Sequence, residues 1–142
     1  MRDQFHLLIG SRLLCNTPED EVASIIYIIV GQLNKGIHQI QAQEQKIEVA
    51  QLNCTAGEQA LKSSSFHSAA DYFTHGIDLL SNDCWDSNYG LALNLHDAAQ
   101  EALFVTGNFA ALRELNSEVI THAKTFDDKL NSCKSCFNES CC

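Results

Sequence analysis

FHSAADYFTHGIDLL, residues 66–80, is the stretch on which the fold turns. At 100° per residue, Phe66, Ala69, Ala70, Phe73, Ile77 and Leu80 fall on one face and His67, Asp71, Thr74, His75 and Asp78 on the other. A segment divided so cleanly is an amphipathic helix with one side in a core. Ser63-Ser64-Ser65 before it is a turn. The helix ahead of that turn, about 44–62, carries Ile47, Ala50, Cys54, Gly57 and Leu61 on one face, with Val49, Ala56 and Ala60 beside them. Small residues at Ala56, Gly57 and Ala60 allow a partner helix to approach closely. The two segments therefore read as one helical hairpin.

Toward the C-terminus the pattern returns. Residues 82–87 form a polar connector in which Trp85 is expected to wedge between neighbouring hairpins. A fifth helix, about 87–106, shows Leu91, Leu95, Ala98, Ala102 and Val105 in one stripe and Leu93 and Phe104 opposite, so it should be sandwiched. Gly107-Asn108-Phe109 turns the chain into a sixth helix using Leu112, Leu115, Val119, Ile120, Ala123 and Phe126. Phe66 and Phe109 hold equivalent places after their turns, 43 residues apart (109 − 66), and with Phe73 are expected in the core. Toward the N-terminus, a first helix over about 3–14 places Phe5, Leu8, Ile9, Arg12 and Leu13 to one side. Thr17-Pro18-Glu19-Asp20 predicts a helix start with Thr17 as N-cap. That second helix buries Val22, Ile25, Ile26, Ile29 and Leu33 and ends at Gly36, expected as a left-handed cap.

Composition narrows the function classes. The 142-residue chain has 45% hydrophobic and 19% charged residues, which suits one globular domain. One proline and seven glycines leave few interruptions to helix. Nine basic against eighteen acidic residues give a net charge of −9, which disfavours nucleic acid and anionic membrane as partners. The apolar run over residues 25–30 is far short of the roughly 20 needed to cross a bilayer. The first residues lack the pattern of a signal peptide, so the cytoplasm is the expected location.

The paired helices have the spacing of tetratricopeptide hairpins, although 43 residues exceeds the period of about 34 usual for that repeat. A wider likeness runs through Thr17-Pro18-Glu19, Ile29-Val30-Gly31-Gln32-Leu33-Asn34, Ala50-Gln51-Leu52-Asn53, Ala70-Asp71-Tyr72-Phe73 and Gly76-Ile77-Asp78-Leu79-Leu80. It continues through Trp85 and Tyr89, Ala98-Ala99-Gln100-Glu101-Ala102, Gly107-Asn108-Phe109 and Ala123-Lys124-Thr125. Over about residues 6–130 the chain resembles the helical middle of large multidomain signalling ATPases. In that family a serine/threonine-kinase-like domain and an AAA-type ATPase domain precede this region, and a GAF sensor and a histidine kinase often follow. The resemblance implies a tetratricopeptide-like linker and interaction module. No catalytic motif of the family is present to carry over: the chain has neither a phosphate-binding loop nor a phosphoacceptor-histidine block.

Three clusters invite chemistry. Cys133, Cys136, Cys141 and Cys142 could share a zinc ion, but the second pair is adjacent, which suits chelation poorly. Periodicity is lost from Ser132 onward, and residues 132–142 are expected as a disordered, cysteine-rich tail. His67, Asp71 and His75 succeed one another at one-turn spacing, a possible divalent-ion ladder, yet they lie opposite the apolar stripe, as a solvated face does. His96, Asp97 and Glu101 contain acid–base groups with no nucleophile placed beside them. No catalytic residue, cofactor-binding residue or metal ligand is assigned, and no cofactor is expected.

The expectation is an all-α fold: a tetratricopeptide-like α-solenoid of about six antiparallel helices over residues 1–131, a fragment of a larger solenoid, followed by the tail. Its function is expected to be a non-catalytic scaffold or linker of a multidomain signalling ATPase or histidine kinase, with protein partners. The alternative is a free-standing adaptor that holds a peptide in a concave groove through Asn53, Asn94 and Arg113.

Overall fold

The computed structural model describes residues 2–137, with side chains as far as residue 132. Eight α-helices run in order: α1 (Arg2–Asn16), α2 (Glu19–Lys35), α3 (Gln43–Lys62), α4 (Phe66–Leu79), α5 (Cys84–Ser87), α6 (Tyr89–Val105), α7 (Phe109–His122) and α8 (Phe126–Phe137). A 3-10 turn over Ile37–Gln39 leads into α3, and no strand occurs among the described residues. The fold is all-α. The six expected helices correspond to α1–α4, α6 and α7; α5 and α8 are additional. Helix α8 continues across the point where periodicity was expected to end, and Ser132 on it is buried. Cys141 and Cys142 lie outside the described residues, as do the side chains of Cys133 and Cys136.

Each long helix rests mainly on its neighbours in the chain: α1 on α2, α2 on α3, α3 on α4, α4 on α6, α6 on α7, and α8 on α6 and α7. The α3–α4 pair is the tightest element, and its cause is local. Ala56 and Ala60 are fully buried, and a Cβ on Gly57 would lie 2.5 Å from the Phe73 ring. Phe73 occupies the volume that the missing side chain leaves. Ile29, Leu33, Leu95 and Leu112 extend the same core through α2, α6 and α7.

The turns closing α3 and α6 share one geometry. The Ser65 N–H donates to Ala60 O at 2.8 Å and the Ser64 N–H to Leu61 O at 3.0 Å. Forty-three residues on, the Asn108 N–H donates to Leu103 O at 2.9 Å and the Gly107 N–H to Phe104 O at 3.0 Å. Both turns pass through the left-handed region, at Ser64 (φ 58°) and Gly107 (φ 79°). Serine pays a steric penalty there that glycine does not. Ser64→Gly should therefore stabilise the fold by about 0.5–1 kcal/mol. A urea melt showing Ser64→Gly to be destabilising would contradict this turn.

Several side chains differ from expectation. Helix α1 turns Leu7, Gly10 and Leu14 inward together with Leu13 of the predicted face, and leaves Phe5, Leu8 and Ile9 of that face exposed. Both sides of α1 are apolar, so periodicity alone could not choose. Gly10 chooses: a Cβ there would lie 2.8 Å from the Leu33 side chain, so α2 crosses at the glycine. Thr17 is not an N-cap, because Pro18 occupies that place and the Thr17 hydroxyl donates back to Leu13 O. Gly36 has φ −101°, not a left-handed value. It still caps α2, its N–H donating to Leu33 O at 3.1 Å, and its smallness serves close approach, since a Cβ would meet Asp3 O at 2.5 Å and Leu7 Cβ at 2.7 Å. Phe109 is 49% exposed and Phe126 75% exposed, so neither is core, and Phe66 is only partly buried. Phe109 meets the Phe104 ring edge-on, with ring centroids 6.2 Å apart. Phe126 belongs to α8 rather than to the sixth expected helix.

Candidate functional site

The short helix α5 exists because residues 81–83 turn the chain tightly after α4. The Ser81 hydroxyl donates to the Asp83 carboxylate, and the Cys84 N–H donates to Ser81 O at 3.1 Å. This carries Trp85, the one tryptophan of the chain, inward. Trp85 stacks on His122 of α7, with centroids 5.3 Å apart and planes 4° off parallel. It tilts against His96 of α6 at 4.9 Å and meets the Tyr89 edge at 5.9 Å. Buried Cys84, Ala92 and Val119 complete the cluster, with Leu80 from the end of α4 against it.

Beside this cluster opens a cleft of about 760 Å³, bounded by Ile77, Leu80, Asn82, Trp85, His96, Glu114, Leu115, Glu118 and His122. His96 is 4% exposed and donates its Nδ1–H to Ala92 O at 2.7 Å. Burial holds its basicity below the usual histidine range, so the ring stays neutral and Nε2 keeps its lone pair. His122 Nδ1 lies 3.0 Å from Glu118 O and 3.5 Å from the Glu118 carboxylate. Burial, reinforced by Asp83, pushes the Cys84 thiol up, which suppresses nucleophilic character.

A second polar assembly seats α8. Gln100, fully buried on α6, donates through Nε2 to Ser132 Oγ at 2.8 Å. The Tyr89 hydroxyl donates to the Asp128 carboxylate at 2.5 Å and accepts from the Lys124 N–H at 2.9 Å, while the Lys124 ammonium lies 4.7 Å from the Tyr89 ring centroid. Asp97, between these groups, has an Oδ1 that is buried without a partner. Burial raises its carboxyl to about 6; Asp128 adds to the rise and Ser132 opposes it.

The structure separates most of the groups that the sequence set side by side. His96 faces the Trp85 cleft, Asp97 faces α8, and Glu101 is exposed, because successive helical positions diverge by about 100°. The His67–Asp71–His75 ladder has His75 Nδ1 committed to the backbone O of Asp71 at 2.7 Å. Among the described residues no group of three His, Cys, Asp or Glu converges on a metal position. Asn53 cannot line a groove. It is 0% exposed and locked in a reciprocal amide pair with Asn34, at 2.8 and 2.9 Å. Asn94 is exposed and reaches Glu58 at 3.3 Å, and Arg113 is exposed on α7. The cleft escaped sequence reasoning because α5 is four residues long; a lone tryptophan in a polar connector was its one signal.

Cys54 offers a check on the core beside Asn94. Burial, with Glu58 next to it, pushes its thiol up to about 12. At pH 8 only about one molecule in ten thousand then carries the thiolate. Iodoacetamide should modify exposed Cys15 in the native protein and reach Cys54 only after denaturation. Peptide mapping that finds both equally modified would show the α3 core open.

No family model matches the chain, and no solved structure matches it. A curated relative does: the chain is 26% identical over 108 residues to hybrid signal transduction histidine kinase G of Dictyostelium discoideum. The match covers 70% of this chain and 3% of the relative's length. No helix among the described residues is long and apolar enough to cross a membrane. The similarity links the chain distantly to a signalling protein.

Proposed function

We propose that the chain is a non-catalytic helical scaffold of a signal-transduction protein, a tetratricopeptide-like array that makes contacts with neighbouring domains or a partner protein in the cytoplasm. The observation that carries this reading is serial packing. Helices rest on their chain neighbours, and two successive pairs, α3–α4 and α6–α7, are closed by the same turn 43 residues apart. Units of this kind bury themselves against adjacent units and present extended surfaces. The distant likeness to a hybrid histidine kinase supports the signalling part of this reading. The perturbed groups around the cleft and α8 fit it too: His96 and Cys84 pack about Trp85, and Asp97 packs against Asp128 and Ser132 of α8.

An immunoblot of the native source with an antibody against residues 44–123, read for polypeptide size, tests the proposal. A band far above 15.7 kDa is expected, because the array then belongs to a multidomain chain. A band at 15.7 kDa would make it a free-standing adaptor and remove the linker role.

A further inference from the structure

We propose that the Trp85 cleft receives an arginine- or lysine-bearing segment of a partner protein. The proposal rests on the reading of the chain as a protein-contact module and names the chemistry of the contact. Three observations converge on a cationic hydrogen-bond donor. The α7 wall carries Glu114 and Glu118, one helical turn apart and both exposed, while no lysine or arginine is among the residues bounding the cleft. His96 is nine-tenths buried at the cleft with Nδ1–H spent on Ala92 O, so its Nε2 is an acceptor, and no hydrogen bond to it occurs among the described residues. The apolar floor, formed by Trp85 with Ile77 and Leu80, suits the aliphatic stem of a long basic side chain while its head reaches the carboxylates. An acidic segment meets the opposite: two carboxylates, a lone pair and a chain of net charge −9.

Trp85 is the single tryptophan, so its emission reports the cleft directly. The test titrates acetylated, amidated hexa-arginine into the full chain at 150 mM salt and reads tryptophan fluorescence, with hexa-glutamate as control. A saturable change is expected with hexa-arginine alone. Glu114→Gln/Glu118→Gln should weaken it about tenfold. Glu19→Gln/Glu21→Gln, which removes the same charge at the start of α2, should leave it within twofold. All four glutamates are exposed, and circular dichroism of each variant checks that the fold persists. Equal weakening by both pairs would reduce the binding to general charge attraction and overturn the proposal. So would an unresponsive Trp85 or saturable binding of hexa-glutamate. These outcomes leave the scaffold reading intact, because that reading stands or falls on the size of the native polypeptide.

Discussion

Phe73→Ala is expected to destabilise the protein by about 3–5 kcal/mol, the usual cost of removing a fully buried aromatic side chain and leaving a cavity. The more discriminating result comes from pairing it with Gly57→Ala. In the parent protein the added methyl meets three atoms of the Phe73 ring at 2.5–2.8 Å. Overpacking of that kind costs about 1–3 kcal/mol. The helix propensity gained on replacing glycine, about 1 kcal/mol, offsets only part of it. With Phe73 removed the clash is gone and the propensity gain remains. Gly57→Ala should then change sign, from destabilising in the parent to stabilising by up to about 1 kcal/mol in the Phe73→Ala background. Urea melts of the four proteins provide the cycle, and Phe73→Leu substitutes if Phe73→Ala proves too unstable to measure. An effect of Gly57→Ala that is equal in both backgrounds would mean that α3 and α4 do not meet at this point.

That contact also shows what the sequence could and could not reveal. Helix α4 was legible because Phe73 and its neighbours form one stripe with polar residues opposite, leaving a single way to bury it. Helix α1 was legible as a helix but not in its orientation: Phe5, Leu8 and Ile9 compete with Leu7 and Leu14, and the decision falls to Gly10 against Leu33, a contact 23 residues away (33 − 10). Gly36 reads as a cap by position and does cap α2, but without the left-handed conformation, and its smallness also lets α1 pass close. The cleft was the least legible part. His96 and Asp97 are adjacent in sequence, and only the docking of α5 on one side and α8 on the other gives them separate surroundings. Helix α8 itself was hidden because its apolar positions Phe126 and Leu130 stay exposed, and it is held instead by Gln100–Ser132 and Tyr89–Asp128 hydrogen bonds.

Those same polar contacts make the seat of α8 sensitive to pH. Asp97 has its carboxyl raised from 3.8 to about 6, so the folded protein keeps a proton that the unfolded chain releases. Stability changes with pH according to protons bound unfolded minus protons bound folded, and here that difference is negative between about pH 4 and 6. The contribution of Asp97 is therefore greatest in acid, falls as pH rises through that window and is flat above it. A rise of about two units corresponds to about 3 kcal/mol at most, and solvent screening of this half-buried carboxyl reduces it to about 1–2 kcal/mol. Asp97→Asn should remove the slope and stabilise the protein at pH 7.5 by about 1–2 kcal/mol, since the amide carries no charge to bury. Urea melts of both proteins from pH 4.5 to 8 isolate Asp97 from the other carboxylates, because only the difference between the two curves is read. A difference independent of pH would mean that Asp97 ionises as a solvated carboxylate does. The effect should also be local. Asp97 is pressed against Asp128 and Ser132 of α8, with the Tyr89 hydroxyl already committed to Asp128. Ionisation should therefore loosen α8 before it loosens the Phe73 core. Hydrogen exchange, corrected for intrinsic rates, should show α8 amides less protected at pH 7.5 than at pH 5.5 while those of α3 and α4 stay unchanged. In Asp97→Asn the α8 amides should be equally protected at both.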